Sequence, residues 1–400
     1  MNTPLSRHAL VASLIATAAL QAHADTITDW NLRANALLAD SQLGTPPAIR
    51  AMAIVQTAVH QALDGLPPRV ATTKPAVDAA VAVAHRTTLM QLLPGQRAGI
   101  DAAVQVALSA IPEGPAKAAG MAAGERAAAA VLAARAGDGA GAPESYRPHA
   151  AAGAYVPTAL PAVPQWAQRK PWLMSGAAQF RPGPPPSLTS DQWARDYNEV
   201  KSLGERSGGR RSAEQTDAAR FWAYSMPAIY HGVVRSAVDQ PGRDPARNAR
   251  LFAAVAQAMD DAVIGVIDAK YHHHFWRPVT AIRNGDTDGH AATERVAGWA
   301  PLVDTPMHPE YPSAHSSLAS AVGTVLDAEF GAGTLPVLST TSPSAKGVVR
   351  QWKRTDDFIR EVSEARIHGG LHYRFSTDAG EALGRQVGRL AVEQLLREAP

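Results

Sequence analysis

The sequence predicts an all-α protein, and three observations carry that expectation. Alanine dominates the chain, β-branched residues rarely gather into the alternating runs that a sheet needs, and apolar residues recur at helical spacing between proline and glycine breaks. The run 46–66 shows the pattern. It opens on Pro46-Pro47, carries Ile49, Met52, Val55 and Val59 at helical spacing, and stops at Gly65. Similar runs at 77–92, 97–110 and 115–135, separated by "LPGQ" and "IPEGP", complete an N-terminal helical bundle over 25–136.

From 137 to 188 the periodicity gives way to a Pro/Gly-rich segment, too long for a routine connection. Tyr146, Tyr155, Trp166 and Trp172 within it favour an ordered segment that wraps the molecule over a disordered linker. Helical pattern resumes at the N-cap candidate Ser190 and predicts helices over 189–204, 212–238 and 246–276. Three more follow at 313–329, 355–368 and 372–397, so that 189–400 forms a second bundle and the chain holds about a dozen helices.

Residues 1–24 read as a secretory signal peptide: Arg7, an apolar run from Ala9 to Leu20, then Ala22-His23-Ala24. That run is shorter than the roughly 20 residues needed to cross a bilayer, so no stable membrane anchor is expected. The mature chain is expected to start near Asp25 and to be exported, to the periplasm or beyond. Lys and Arg total 38 against 36 Asp and Glu, with no long basic run, so no nucleic acid partner is expected. Cysteine is absent, which excludes disulfides, thiolate nucleophiles and Cys-ligated metals.

Three short stretches hold the unusual polar residues: "KYHHHFWRP" (270–278), "YPSAHSS" (311–317) and "ARIHGGLHYRF" (365–375). In the first, Lys270 and Arg277 are two turns apart on one expected helix, about 10 Å along its axis, with Pro278 as the stop. In the second, Pro312-Ser313 signals a helix start whose free N–H groups attract an anion, with Ser313 and His315 at its rim. In the third, Gly369-Gly370 lets one helix end and the next begin, so that Arg366 and His372 can point at one centre. Together they offer one lysine, two arginines, a serine, a helix N-terminus and two histidines, a set suited to a tetrahedral oxyanion. Consecutive His272, His273 and His274 diverge by about 100° each on a helix, which argues against zinc. Asp260-Asp261 read either as partners of a site cation or as surface residues.

The ordered pattern K-x6-R-P, P-S-x-H and R-x5-H resembles the signature shared by vanadium-dependent haloperoxidases and the type-2 phosphatidic acid phosphatase superfamily. The resemblance runs over 190–400, and the N-terminal half is similar to the extra bundle of secreted bacterial haloperoxidase-like proteins. It implies vanadate as cofactor, with His372 as the one ligand to the metal. It also implies Lys270, Arg277 and Arg366 on the equatorial oxygens, Ser313 and the Ala314 N–H as further donors, His315 as acid/base, and Lys270 also polarising peroxide. The implied reaction is oxidation of a halide by hydrogen peroxide, with bromide favoured because His308 precedes Ser313 by five residues.

On the same residues a phosphatase would act on phosphate esters through a phosphohistidine at His372, without metal, and a non-catalytic protein would simply bind the oxyanion. Three positions depart from the family pattern. Ala314 stands for glycine, Ala365 for serine, and Ser376 for an aspartate four residues after His372, which leaves the usual carboxylate partner of that histidine in doubt.

Overall fold

The computed structural model describes residues 25–331 and 333–397; the signal peptide read at 1–24 lies outside them. Thirteen α-helices and one small hairpin make up the described chain. The first five helices are α1 (Thr26–Ala39), α2 (Thr45–Asp64), α3 (Lys74–Leu92), α4 (Arg97–Ser109) and α5 (Pro115–Arg135). The rest are α6 (Asp191–Leu203), α7 (Ala213–Phe221), α8 (Pro227–Val238), α9 (Pro245–His273), α10 (Pro278–Arg283), α11 (Ala314–Phe330), α12 (Thr355–His368) and α13 (Arg374–Ala391). Between α11 and α12, β1 (Leu338–Thr341) pairs antiparallel with β2 (Val349–Trp352), Leu338 opposite Trp352. Among the described residues no helix is long and apolar enough to cross a membrane.

Several boundaries differ from the sequence expectation for local reasons. Helix α1 was not expected, because its buried face carries Asn31 and Asn35 and breaks the apolar pattern. Asn31 is satisfied across the fold, bonding His231 at 2.9 Å and accepting from Arg235 at 2.7 Å, whereas Asn35 donates back to the Asn31 carbonyl at 2.9 Å and its own Oδ1 has no partner among the described residues. The single helix expected over 212–238 is two, because Pro227 cannot continue a helix and instead starts α8. Helix α9 ends at His273, with His274 left-handed at φ 53°, rather than running on to Arg277. Pro278 is the first residue of α10, where its missing N–H costs nothing, and Arg277 is that helix's N-cap.

Small residues bring the helices together. A Cβ on Gly120 would stand 2.2 Å from the Ala76 carbonyl oxygen and one on Gly124 2.6 Å from that of Ala80, so α3 and α5 touch backbone to backbone. The stripe Gly380, Gly384 and Gly388 does the same for α13 against α11: Cβ atoms there would lie 2.4 Å from the Ser313 oxygen, 2.1 Å from that of Ser317 and 2.7 Å from Thr324 Cβ. This contact fixes the start of α11, which matters for the site below. Helix α9 is buried on nearly every side, with α2, α11 and α13 packed around it. One apolar core runs through both groups of helices, from Ile27 and Val59 to Phe252, Val325 and Val387.

The Pro/Gly-rich segment 137–188 is held by buried charge. Arg169 is bidentate to Asp260, at 2.6 and 2.9 Å, and also donates to Asp138 at 2.9 Å. Asp261 accepts three backbone N–H groups, from Trp172, Leu173 and Met174, at 2.7 to 2.9 Å. The two aspartates therefore neither pair with a site cation nor lie on the surface. They are fully buried and tie this segment to α9.

Candidate active site

The last turn of α9 carries Lys270, whose Nζ donates to the carbonyls of Pro309 and Glu310 at 3.0 and 2.6 Å. After the His274 cap the chain turns, and the backbone N–H groups of Tyr155 and Glu310 bond the carbonyls of His274 and Phe275 at 2.6 and 2.8 Å. Arg277 is thus delivered from a loop rather than from the face of α9 shared with Lys270. Its guanidinium donates to the His308 carbonyl (2.9 Å), His308 Nδ1 (2.9 Å), the Leu371 carbonyl (3.0 Å) and His372 Nε2 (3.2 Å). Both cations are fully buried, and the break in the helix is what lets them converge.

Ser313 is the N-cap of α11: its Oγ accepts from the Ser316 N–H (3.4 Å) and hydroxyl (3.0 Å), while its own N–H donates to the Ser376 carbonyl at 3.0 Å. The N–H groups of Ala314 and His315 are in the first turn and have no partner within the helix. Ala314 therefore keeps the donor that glycine would have offered.

The third stretch is a helix end of the Schellman type. Leu371 N–H reaches back to the Arg366 carbonyl at 3.0 Å, Gly370 N–H to that of Ile367 at 2.9 Å, and Gly370 has φ +77°. That turn leaves Arg366 on the last turns of α12, donating from NH1 to the Trp222 carbonyl at 2.6 Å. His372 follows the turn and lies two residues before α13 rather than opening it.

His372 has a carboxylate partner that the sequence did not reveal. Glu310 Oε1 accepts from Nδ1 at 2.6 Å and from the Tyr373 N–H at 3.2 Å, with Ser376 Oγ 3.2 Å from the same Nδ1. Glu310 takes the part that the position of Ser376 leaves vacant, while Asp378 is exposed. With its proton on Nδ1 and directed at the carboxylate, His372 carries its lone pair on Nε2, which accepts from Arg277 at 3.2 Å. Glu310 immediately precedes the stretch "YPSAHSS", but its partner lies 62 positions away, which no local pattern reports.

Charge is unbalanced here. Lys270, Arg277 and Arg366 are all buried, and Glu310 is the one carboxylate among them. Burial, helped by the neighbouring Arg277 and only partly offset by Glu310, pushes Lys270 well below its ordinary pKa. Burial lowers Arg277 to about 10 and Arg366 to about 10. Burial and then the adjacent cations hold His308, His315 and His372 well below the usual histidine range, so all three are neutral at pH 7. Glu310 is pushed up to about 7 by burial, against the pull of Lys270 and Arg277. Arg366 Nε and His315 Nε2 are buried without a hydrogen-bond partner.

His308, Ala314, His315, Arg366 and His372 line a cavity of about 430 Å³. The N-terminal half supplies Gly44 to Pro47 to its wall, and the Pro/Gly-rich segment supplies Ala162 and Val163. The structure thus gathers Lys270, Arg277, Ser313, Ala314, His315, Arg366 and His372 around one place. It leaves the histidine triplet apart: His273 bonds the Pro182 carbonyl at 3.0 Å, His274 stacks on Tyr146, and His272 is exposed.

Residues 250–399 match the VCPO second helical-bundle domain. The match contains all seven of these residues. The vanadium chloroperoxidase of Curvularia inaequalis is 30% identical over 169 residues, which is 34% of this chain and 28% of that protein's length. The first bacterial vanadium-dependent iodoperoxidase of known structure superposes with a TM-score of 0.77 at 22% identity, over 92% of this chain and 96% of the other. An apo bacterial vanadium-dependent chloroperoxidase gives 0.70 at 20% identity, over 90% and 95%. The described chain therefore has the haloperoxidase fold throughout, N-terminal helices included.

Proposed function

We propose that the protein is a vanadate-dependent haloperoxidase that oxidises halide with hydrogen peroxide. The observation that carries the reading is the buried cluster of basic side chains: Lys270, Arg277 and Arg366 lie together with one carboxylate among them, itself bonded to His372, and Arg366 and His372 face the cavity beside them. Unpaired buried charge costs several kcal/mol per ion, and a bound oxyanion offsets it. The donor set fits vanadate. His372 would supply the single nitrogen ligand through Nε2, and Glu310 holds the proton on Nδ1 so that this lone pair is available. Lys270 uses two of its three donors on carbonyls and keeps one for an oxyanion, and Arg366 keeps Nε. Ser313 and the Ala314 N–H complete the donors. When bound, vanadate is a Lewis acid that activates peroxide for oxygen transfer to halide.

The chain's own residues handle protons and solvent. Neutral His315, with Nε2 unpartnered, accepts a proton from incoming hydrogen peroxide and returns it when water leaves. The anion beside it would raise its pKa toward the working range. Lys270 polarises the peroxide oxygens. Bromide is proposed as the halide on the resemblance at His308, which lines the cavity and is bonded to Arg277. Export through the leader read at 1–24 belongs to the same proposal, and N-terminal sequencing of the exported protein should begin near Asp25.

The test loads purified protein with vanadate and measures peroxide-dependent oxidation of chloride, bromide and iodide beside phosphate-ester hydrolysis. Bromide oxidation that disappears in His372→Ala is expected. Hydrolysis without any halide oxidation would replace this reading with a phosphatase, and phosphate binding with neither activity would leave an oxyanion-binding protein.

A further inference from the structure

We propose that the cavity beside the cationic cluster also seats the organic molecule to be halogenated, an apolar arene of about two rings, so that halogen transfer takes place inside the protein. This rests on the haloperoxidase reading above. The argument is one of size and lining. A tetrahedral oxyanion, hydrogen peroxide and one halide amount to about seven water-sized atoms, roughly 200 Å³ at ~30 Å³ each. The cavity holds about 430 Å³, within the range of small-molecule sites, so about half of it is left over.

The remaining wall is apolar, with Pro47, Val163, Val263, Ile267 and Leu318 prominent in it. Hydrated ions gain nothing from such a wall, whereas an apolar occupant is stabilised by leaving water. Thr45 and Ser225, the polar lining residues outside the cluster, bond each other at 2.7 Å and so offer little to a polar guest. Pro47 and Val163 also border a second cavity of about 360 Å³ lined by Leu43, Leu92 and Trp166, which extends the apolar surface beneath residues 163–166.

The step balances with hypobromous acid as oxidant. A C–H bond of the arene breaks and a C–Br bond forms, bromine is reduced as the carbon is oxidised, and the released proton joins hydroxide as water. The probe is 2-naphthol. Calorimetry on the vanadate-free protein should show saturable binding, weakened at least tenfold by Val163→Trp, which fills the cavity. With vanadate, peroxide and bromide, the ratio of brominated isomers should differ from that made by reagent hypobromous acid and revert to it in the variant. Should Val163→Trp fail to fold, Ile267→Phe serves the same purpose. Failure to bind, or an isomer ratio equal to the reagent's, overturns the proposal. Bromide oxidation is followed separately without arene; if that is absent, the haloperoxidase reading falls, and the binding measurement still decides the arene seat.

Discussion

Replacing Glu310 by glutamine removes the one negative charge among the buried cations while keeping the shape of the side chain. Its effect can be worked out in two currencies. The amide oxygen can still accept from His372 Nδ1 and the Tyr373 N–H, but as a neutral acceptor it polarises the imidazole less. Losses of this kind behind a ligand histidine run to about 10–100-fold in affinity, or ~1.4–2.7 kcal/mol.

The second effect is on the pH dependence of stability. Glu310 rises from 4.5 to about 7 on folding, so its contribution is fully present below 4.5 and is lost as pH climbs through 7. A shift of that size corresponds to about 3 kcal/mol. The unfolding free energy of the wild type minus that of Glu310→Gln should therefore fall by about 3 kcal/mol between pH 4 and pH 8. Urea unfolding of the vanadate-free proteins, read by tryptophan fluorescence across that range, measures it. A difference that stays flat, or widens with pH, would refute the account of Glu310 as a carboxyl held out of water beside His372.

Three other perturbations probe separate parts of the argument. His315→Ala should retain vanadate, measured as metal left after ultrafiltration, while turnover falls by about 10²–10⁴; loss of both together would mean that His315 holds the anion instead of moving protons. Gly370→Ala puts a Cβ 2.6 Å from the Gly204 carbonyl oxygen at φ +77°, so it should cost about 2–4 kcal/mol in denaturant titration and release vanadate more readily by displacing His372. Arg169→Met leaves Asp260 and Asp138 without their shared buried cation and should destabilise by about 3 kcal/mol, and a change below 1 kcal/mol in the same titration would show that the latch is not needed.

The candidate site was largely legible because its signals are local. A serine after proline starts a helix, a glycine pair ends one, and arginine and histidine at set spacings flank those breaks. What stayed hidden depended on contacts across the chain. Glu310 gains its meaning from His372, and Asp260 and Asp261 from Arg169 and the Trp172–Met174 backbone, 87 to 91 positions away. Helix α1 was obscured because Asn31 and Asn35 are buried polar residues on its inner face, and the partners of Asn31, His231 and Arg235, lie on α8. Pro278 was misread for a different reason. The same residue can stop one helix or open the next, and only the turn at His274 decides between them.

The cavity wall has a consequence for how much chain the chemistry needs. Residues 189–397 hold every charged group of the cluster, yet Gly44 to Pro47 and Ala162-Val163 form part of the barrier around it. A chain shortened to its C-terminal helices would keep the ligands and admit bulk water beside them. The local dielectric would climb, Lys270 and the arginines would return toward ordinary titration, and their attraction for an oxyanion would shrink severalfold. The first five helices therefore act on the reaction through the medium they maintain, although none of the charged groups of the cluster belongs to them.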